Sequence, residues 1–250
     1  MTVIEGRLPE IESIELKSGG HRNLDDGACV MEAVAYVAGE PWSDHPQCAC
    51  PVLTSFMVSW NDTLNDTDRQ RLKPYIPRLV GTRSTPEAES VRAWMACDWL
   101  VRTFTPKWLR LVGLDEEAAA LEGLPELTST ELVEAALPVI RKAKKGAAAA
   151  GAAAWAAARD AAGAAAGAAA RAAAWAAARD AAGAAARDAA GAAAGAAARD
   201  AAWAAARDAA GAAAGAALAP IVSELQDSAF DLLDRMIAVA PATQEEQEAP

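Results

Sequence analysis

The sequence gathers its most reactive side chains in one short stretch. The segment "GEPWSDHPQCACPV", residues 39–52, holds Glu40, Trp42, Ser43, Asp44, His45, Cys48 and Cys50, and Cys29 lies upstream. Proline-punctuated loops of such variety are where binding and catalysis concentrate, so Glu40, Trp42 and Asp44 are candidate binding residues. Two chemistries fit the rest. Cys29, His45, Cys48 and Cys50 would supply four ligands to a zinc ion, although a single residue between Cys48 and Cys50 departs from the usual knuckle spacing. Alternatively, Cys29 is a thiolate nucleophile at the start of a predicted helix, whose dipole lowers its pKa, with His45 as base. Asp25 and Asp26 oppose a thiolate there and more simply stabilise the helix start. Ser43, Asp44 and His45 are consecutive and cannot form a triad. No Walker loop, dinucleotide fingerprint or zinc-finger spacing occurs, so no cofactor is expected. A noncatalytic protein is the leading expectation, with a thiol enzyme or metal-binding protein as the alternative.

The elements around this loop read as helices, and the fold class expected is all-α. In "GACVMEAVAYVAG" Val30, Ala33, Val34 and Val37 share one face and Gly39 closes the helix. Pro51 opens a second helix that aligns Leu53, Phe56, Trp60 and Leu64. A third begins near Pro86, where Trp94, Cys97, Val101, Phe104, Trp108 and Leu111 form a predicted core stripe, and Pro106 must kink or restart it. Thr128 with Glu131 predicts a capping box for a fourth. Its cations Arg141, Lys142, Lys144 and Lys145 suit a helix C-terminus, the alternative being an anion site. "TVIEGRL" and "ESIELK" hint at short strands.

Beyond residue 146 the chemical variety collapses. Positions 147–218 contain 49 alanines in 72 residues, and from Gly151 to Gly215 every fourth residue is Gly, Trp or Arg. Alanine is the best helix former and no proline interrupts, so the pattern predicts a long helix, roughly 108 Å if straight. Each four-residue step overshoots one turn by about 40°, so the marked stripe winds around the helix and suits right-handed wrapping by partners. Trp155 with Arg159, Trp175 with Arg179, and Trp203 with Arg207 sit four apart, where guanidinium over indole contributes about 0.5–1 kcal/mol. These six residues form the candidate binding face of the repeat. The glycine pairs Gly163/Gly167, Gly191/Gly195 and Gly211/Gly215 permit close helix approach. A spacer is one reading and a helix-packing or self-association surface is the other. "PIVSELQDSAFDLLDRMIAVA" then predicts an amphipathic helix with Ile221, Leu225, Ala229, Leu232, Met236 and Ile237 on its apolar side, and a polar tail follows.

These shifts in composition divide the chain into a helical N-terminal domain (1–145), the repeat helix (146–218), the amphipathic helix (219–240) and a disordered acidic tail (241–250). The net charge of -11 opposes loose attraction to phosphate backbones and anionic membranes, so neither nucleic acid nor membrane is the expected partner; a protein partner or self-association is. The start lacks a basic-then-apolar leader, and the longest uncharged run of the alanine block is shorter than the about 18 apolar residues a membrane helix needs. A cytoplasmic location follows. Four cysteines are too few for a disulfide scaffold in a chain of this length.

The segments "CVMEAVAYVAGEPWSDHPQCACPVL" and "LKPYIPRLVGTR", the "AARDAAWAAARDAA" tract and the ending "LQDSAFDLLDRMI" are together similar to a family of uncharacterised actinobacterial and actinobacteriophage proteins. The resemblance covers about residues 20–112 besides the tracts. It implies a phage or bacterial cytoplasmic origin, leaves a nucleic-acid-associated phage protein as a second alternative, and assigns no residue a role.

Overall fold

In the computed structural model, which describes residues 2–150 and 218–239, a short helix α1 (Leu8–Ser13) with a proline in its first turn precedes the central helix α2 (Val30–Ala38). Helix α2 starts where Cys29 takes an extended conformation and stops at Gly39, whose φ of 75° is the left-handed geometry that glycine adopts without penalty. Along α2 every residue except Tyr36 and Ala38 is buried. A helix with apolar residues on nearly all sides is a core helix, and each large side chain so buried contributes about 1.5–3 kcal/mol.

Pro51 opens α3 (Pro51–Thr63), Asn65 caps α4 (Asp66–Arg69), a 3-10 turn over Gln70–Tyr75 leads into α5 (Ile76–Leu79), and Thr85 caps α6 (Pro86–Trp99). A π-helical turn, Leu100–Phe104, joins α6 to α7 (Thr105–Leu111), and α8 (Asp115–Glu122) follows. Residues 130–150, α9, and 218–238, α10, are helical as well. The protein is all-α among the described residues. The expected N-terminal strands are not there: Glu5–Arg7 is a 3-10 turn that runs into α1, and only Leu16 of the second stretch makes an isolated parallel bridge, with Ala28. Pro9 at the first turn and the three residues that follow it favour helix over extension.

The described residues fall into two units. The first comprises residues 2–103, 124–135 and 228–239. Its core gathers Val30, Met31, Val34 and Val37 of α2, Leu53 and Met57 of α3, Leu72, Ile76 and Leu79, and then Leu232, Leu233 and Met236 of α10. Aromatic rings extend it: Phe230 stacks on Tyr75 with centroids 5.5 Å apart and lies 4.5 Å from Trp60. The second unit comprises residues 104–123, 136–150 and 218–227. In it α7 packs on α8 through a turn at Gly113, Arg110 pairs with Asp115 and Glu122, and Leu109, Ala118 and Leu121 are buried. Lys142 of α9 pairs with Glu117, Gly146 lies against Leu114, and Lys107 pairs with Glu224 of α10.

Three sequence expectations change here. None of Trp94, Cys97, Val101, Phe104, Trp108 and Leu111 is fully buried; the buried positions are Ala88, Arg92, Pro106 and Leu109. The π turn inserts an extra residue and shifts the register of any 3.6-residue stripe that crosses it, while Pro106 restarts the helix in the first turn of α7. Ser129, not Thr128, caps α9, its hydroxyl accepting the Leu132 N–H at 3.4 Å. Arg141, Lys142, Lys144 and Lys145 lie inside α9, which continues through residue 150, so they do not end a helix and no helical break marks position 145.

Candidate functional site

Backbone N–H groups at the start of α2 need acceptors, and Cys29, Glu32 and Asn61 supply three of them. Cys29 is the N-cap: its Sγ accepts the Glu32 N–H at 3.4 Å, and Glu32 Oε2 accepts the Cys29 N–H at 2.7 Å. This is a capping box in which a thiol stands where Ser or Thr is usual. Asn61 of α3, fully buried, accepts the Val30 N–H at 3.2 Å through Oδ1 and donates from Nδ2 to the Lys17 carbonyl at 2.9 Å.

Glu32, only 2% exposed, also fastens the preceding loop. Its Oε1 accepts the His21 N–H at 2.6 Å, and His21 Nδ1 lies 2.9 Å from Oε2. Trp42 then donates from Nε1 to the His21 carbonyl at 2.8 Å, so the reactive-looking loop and the 17–29 loop are laced to each other. A buried carboxylate of this kind is tolerated because several N–H groups converge on it.

The arrangement does not make Cys29 a nucleophile. Burial, and behind it the Glu32 carboxylate, push the thiol up to about 12, the opposite of the depressed pKa a reactive cysteine needs. The dipole of α2 is outweighed by desolvation. His45 is solvent-exposed and its Nδ1 lies 2.8 Å from Asp44 Oδ1, so its ring partner is its neighbour, not Cys29. Asp26 pairs with Arg22 rather than with the helix start, which Cys29, Glu32 and Asn61 satisfy instead.

Cys48 and Cys50 are buried as well. Burial raises the Cys48 thiol and the Glu40 carboxylate raises it further. Glu40 closes the loop on itself by accepting the Gln47 N–H at 2.5 Å, and Cys50, the residue before α3, donates its N–H to Thr82 Oγ1 at 3.1 Å. Among the described residues no three His, Cys, Asp or Glu side chains are placed to share a metal ion, so Cys29, His45, Cys48 and Cys50 are not assembled as a zinc site. Trp155, Arg159, Trp175, Arg179, Trp203 and Arg207 lie outside the described residues.

Two features escaped sequence reasoning. One is Glu32, although the C-x-x-E spacing from Cys29 was a signal for it. The other is an open groove of about 530 Å³ in the first unit, lined by Trp99, Thr103, Ser228, Asp231, Asp234 and Arg235. Trp99 donates from Nε1 to Ser228 Oγ at 3.0 Å across its floor, and Asp234 pairs with Arg78 at 2.7 Å. No local pattern relates residues so distant along the chain. Among the described residues no helix is long and apolar enough to cross a membrane. Set against protein-family models, curated proteins and solved structures, the chain matches none of them.

Proposed function

We propose that the protein is a noncatalytic structural or interaction protein of the bacterial cytoplasm, in which a helical body holds the alanine-rich block as a spacer or helix-packing surface. The observation that carries this reading is the anchoring of the block's two flanks. Lys142 and Gly146 before it, and Glu224 after it, all meet the α7–α8 pair, and residues 228–239 then enter the core of the first unit. Three of the buried polar side chains are taken up by structure: Glu32 by capping, Asn61 by the start of α2, Arg92 by three main-chain carbonyls.

The test is light scattering coupled to gel filtration on the full chain and on a variant of equal length in which residues 151–217 are replaced by a Gly/Ser sequence. An oligomer that becomes monomeric in the variant makes the block a packing surface between chains. Two monomers assign it a spacer or internal role. Rapid alkylation of native Cys29 at neutral pH would overturn the noncatalytic reading altogether.

A further inference from the structure

The cations of α9 stand where little in the fold offsets them. Arg141, Lys142, Lys144 and Lys145 lie before the last described turn of a helix that runs through residue 150, so the helix dipole, whose effect is confined to the terminal turn, does not favour them. Like charges three and four apart on a helix repel, and Arg141 stands in that relation to both Lys144 and Lys145, as Lys142 does to Lys145. One of the four is answered: Lys142 Nζ lies 3.7 Å from Glu117 Oε1. The side chains of Arg141, Lys144 and Lys145 are exposed and make no ion pair among the described residues.

These three share one face. At about 100° per residue they span about 100° of arc on the side opposite Ala143, which is buried. Leu137 and Pro138 precede them on that side and Ala148 follows; Leu137 is half-buried and the other two are exposed. The face is therefore a short cationic centre, about 6 Å from Arg141 to Lys145 along the axis, set between apolar ends.

That shape selects among anions. A phosphodiester backbone is a continuous line of charge that calls for a longer basic track, and a chain of net charge -11 opposes so dense a polyanion at long range. A few carboxylates on one turn of a polypeptide, with apolar side chains beside them, match the face in charge and in extent, because protein interfaces combine complementary charge with apolar area. We propose that the face of α9 built from Arg141, Lys144 and Lys145 is a docking site for an acidic segment of a partner protein. This rests on the reading of the chain as an interaction protein and places a contact outside the alanine-rich block.

Fluorescence anisotropy tests it with the full chain and a labelled peptide that carries glutamate at every fourth position of an alanine helix. Saturable binding is expected at low salt, weakening as salt rises. In the variant Arg141→Gln/Lys144→Gln/Lys145→Gln the affinity should fall about tenfold, the combined effect of three exposed charge pairs. Absence of binding, or equal binding by the variant, overturns the proposal. So does tighter binding of a DNA duplex of equal charge, which would assign the face to a phosphate backbone. The variant also separates partner from fold. Its urea midpoint should stay level or rise, since mutual repulsion is relieved; a lower midpoint overturns the proposal by giving the cations a structural role. Light scattering distinguishes this site from the reading it rests on: assembly that depends on the alanine-rich block, with no peptide bound, removes the site and leaves the proposed function standing.

Discussion

The guanidinium of Arg92 grips the carbonyl of Met236: Nε donates to it at 2.9 Å, while Nη2 reaches Val239 O at 3.0 Å and Nη1 reaches Thr82 O at 2.8 Å. Residues far apart in sequence are thereby joined at the C-terminal end of α10, where the carbonyls lack helical partners and a cation is favoured. Arg92 is 2% exposed, so the variant Arg92→Met leaves three carbonyls short of a donor. A loss of about 3 kcal/mol is expected, read as a lower urea midpoint at constant slope. Arg92→Lys restores the charge without the fork and should fall between the two. A midpoint that does not move would show that water replaces the guanidinium without cost.

Leu232 is fully buried in the core of the first unit, and Asp231 beside it is exposed. Leu232→Ala should cost about 2–5 kcal/mol, the range for a buried leucine whose surroundings relax only in part. Asp231→Ala should stay within about 0.5 kcal/mol of the parent. Similar denaturation curves for the two variants would remove α10 from the core.

Cys29 should behave as a protonated thiol. With its pKa raised from 9.0 to about 12, its thiolate fraction at pH 8 is about a thousandfold below that of an ordinary cysteine, so alkylation in the native chain should be limited by opening of the fold. The same shift sets a pH dependence. The folded state holds this proton more tightly than the unfolded state, so the contribution is fully present below pH 9.0 and falls as the pH rises toward about 12. Cys29→Ser should flatten that alkaline decline while keeping the cap. Mass spectrometry of alkylation against urea concentration, and urea midpoints from pH 7 to 11, check both parts.

Glu32 receives the N–H groups of Cys29 and His21 and faces the His21 ring. Glu32→Gln replaces one acceptor oxygen by a donor that points at other donors. A loss of about 1–3 kcal/mol is expected, together with faster hydrogen exchange at the amides of His21 and Cys29. Unchanged exchange at both amides would mean that the loop is held by Trp42 alone.

Gly39 has φ 75°, and a Cβ built on it falls 2.8 Å from Ile4 Cδ1. Gly39→Ala should therefore destabilise by about 1 kcal/mol or more, from backbone conformation and from displacement of Ile4. Gly39→Ala/Ile4→Ala removes the collision and should recover only that part; full recovery would place the entire cost in the contact.

What could be read along the chain was local. The spacing of Val30, Ala33, Val34 and Val37, the prolines at 51 and 86 and the glycine at 39 fix helix ends and faces through interactions within a few residues, and these elements appear where expected. The stripe from Trp94 to Leu111 failed because one π turn breaks its register, and the hints of strands failed because a proline in the first turn favours helix. At the candidate site, the identities of Cys29, His45, Cys48 and Cys50 were plain and their environments were not. Whether a thiol is nucleophilic depends on burial and on a carboxylate such as Glu32 or Glu40, and burial is settled by helices that arrive from elsewhere in the sequence. The groove beside Trp99 and the grip of Arg92 join partners more than a hundred positions apart.

The placement of Leu232, Leu233 and Met236 in a core made otherwise from residues 11–79 gives the molecule an order of birth. On a ribosome the apolar faces of α2, α3 and α5 emerge first and wait, through all of the alanine-rich block, for the turn of α10 that seals them. Long-range closure of this kind slows folding and leaves nascent apolar surface open to wrong partners. That surface stays open until residue 239 has been made, and a message cut short inside the repeat yields a body that lacks its last wall.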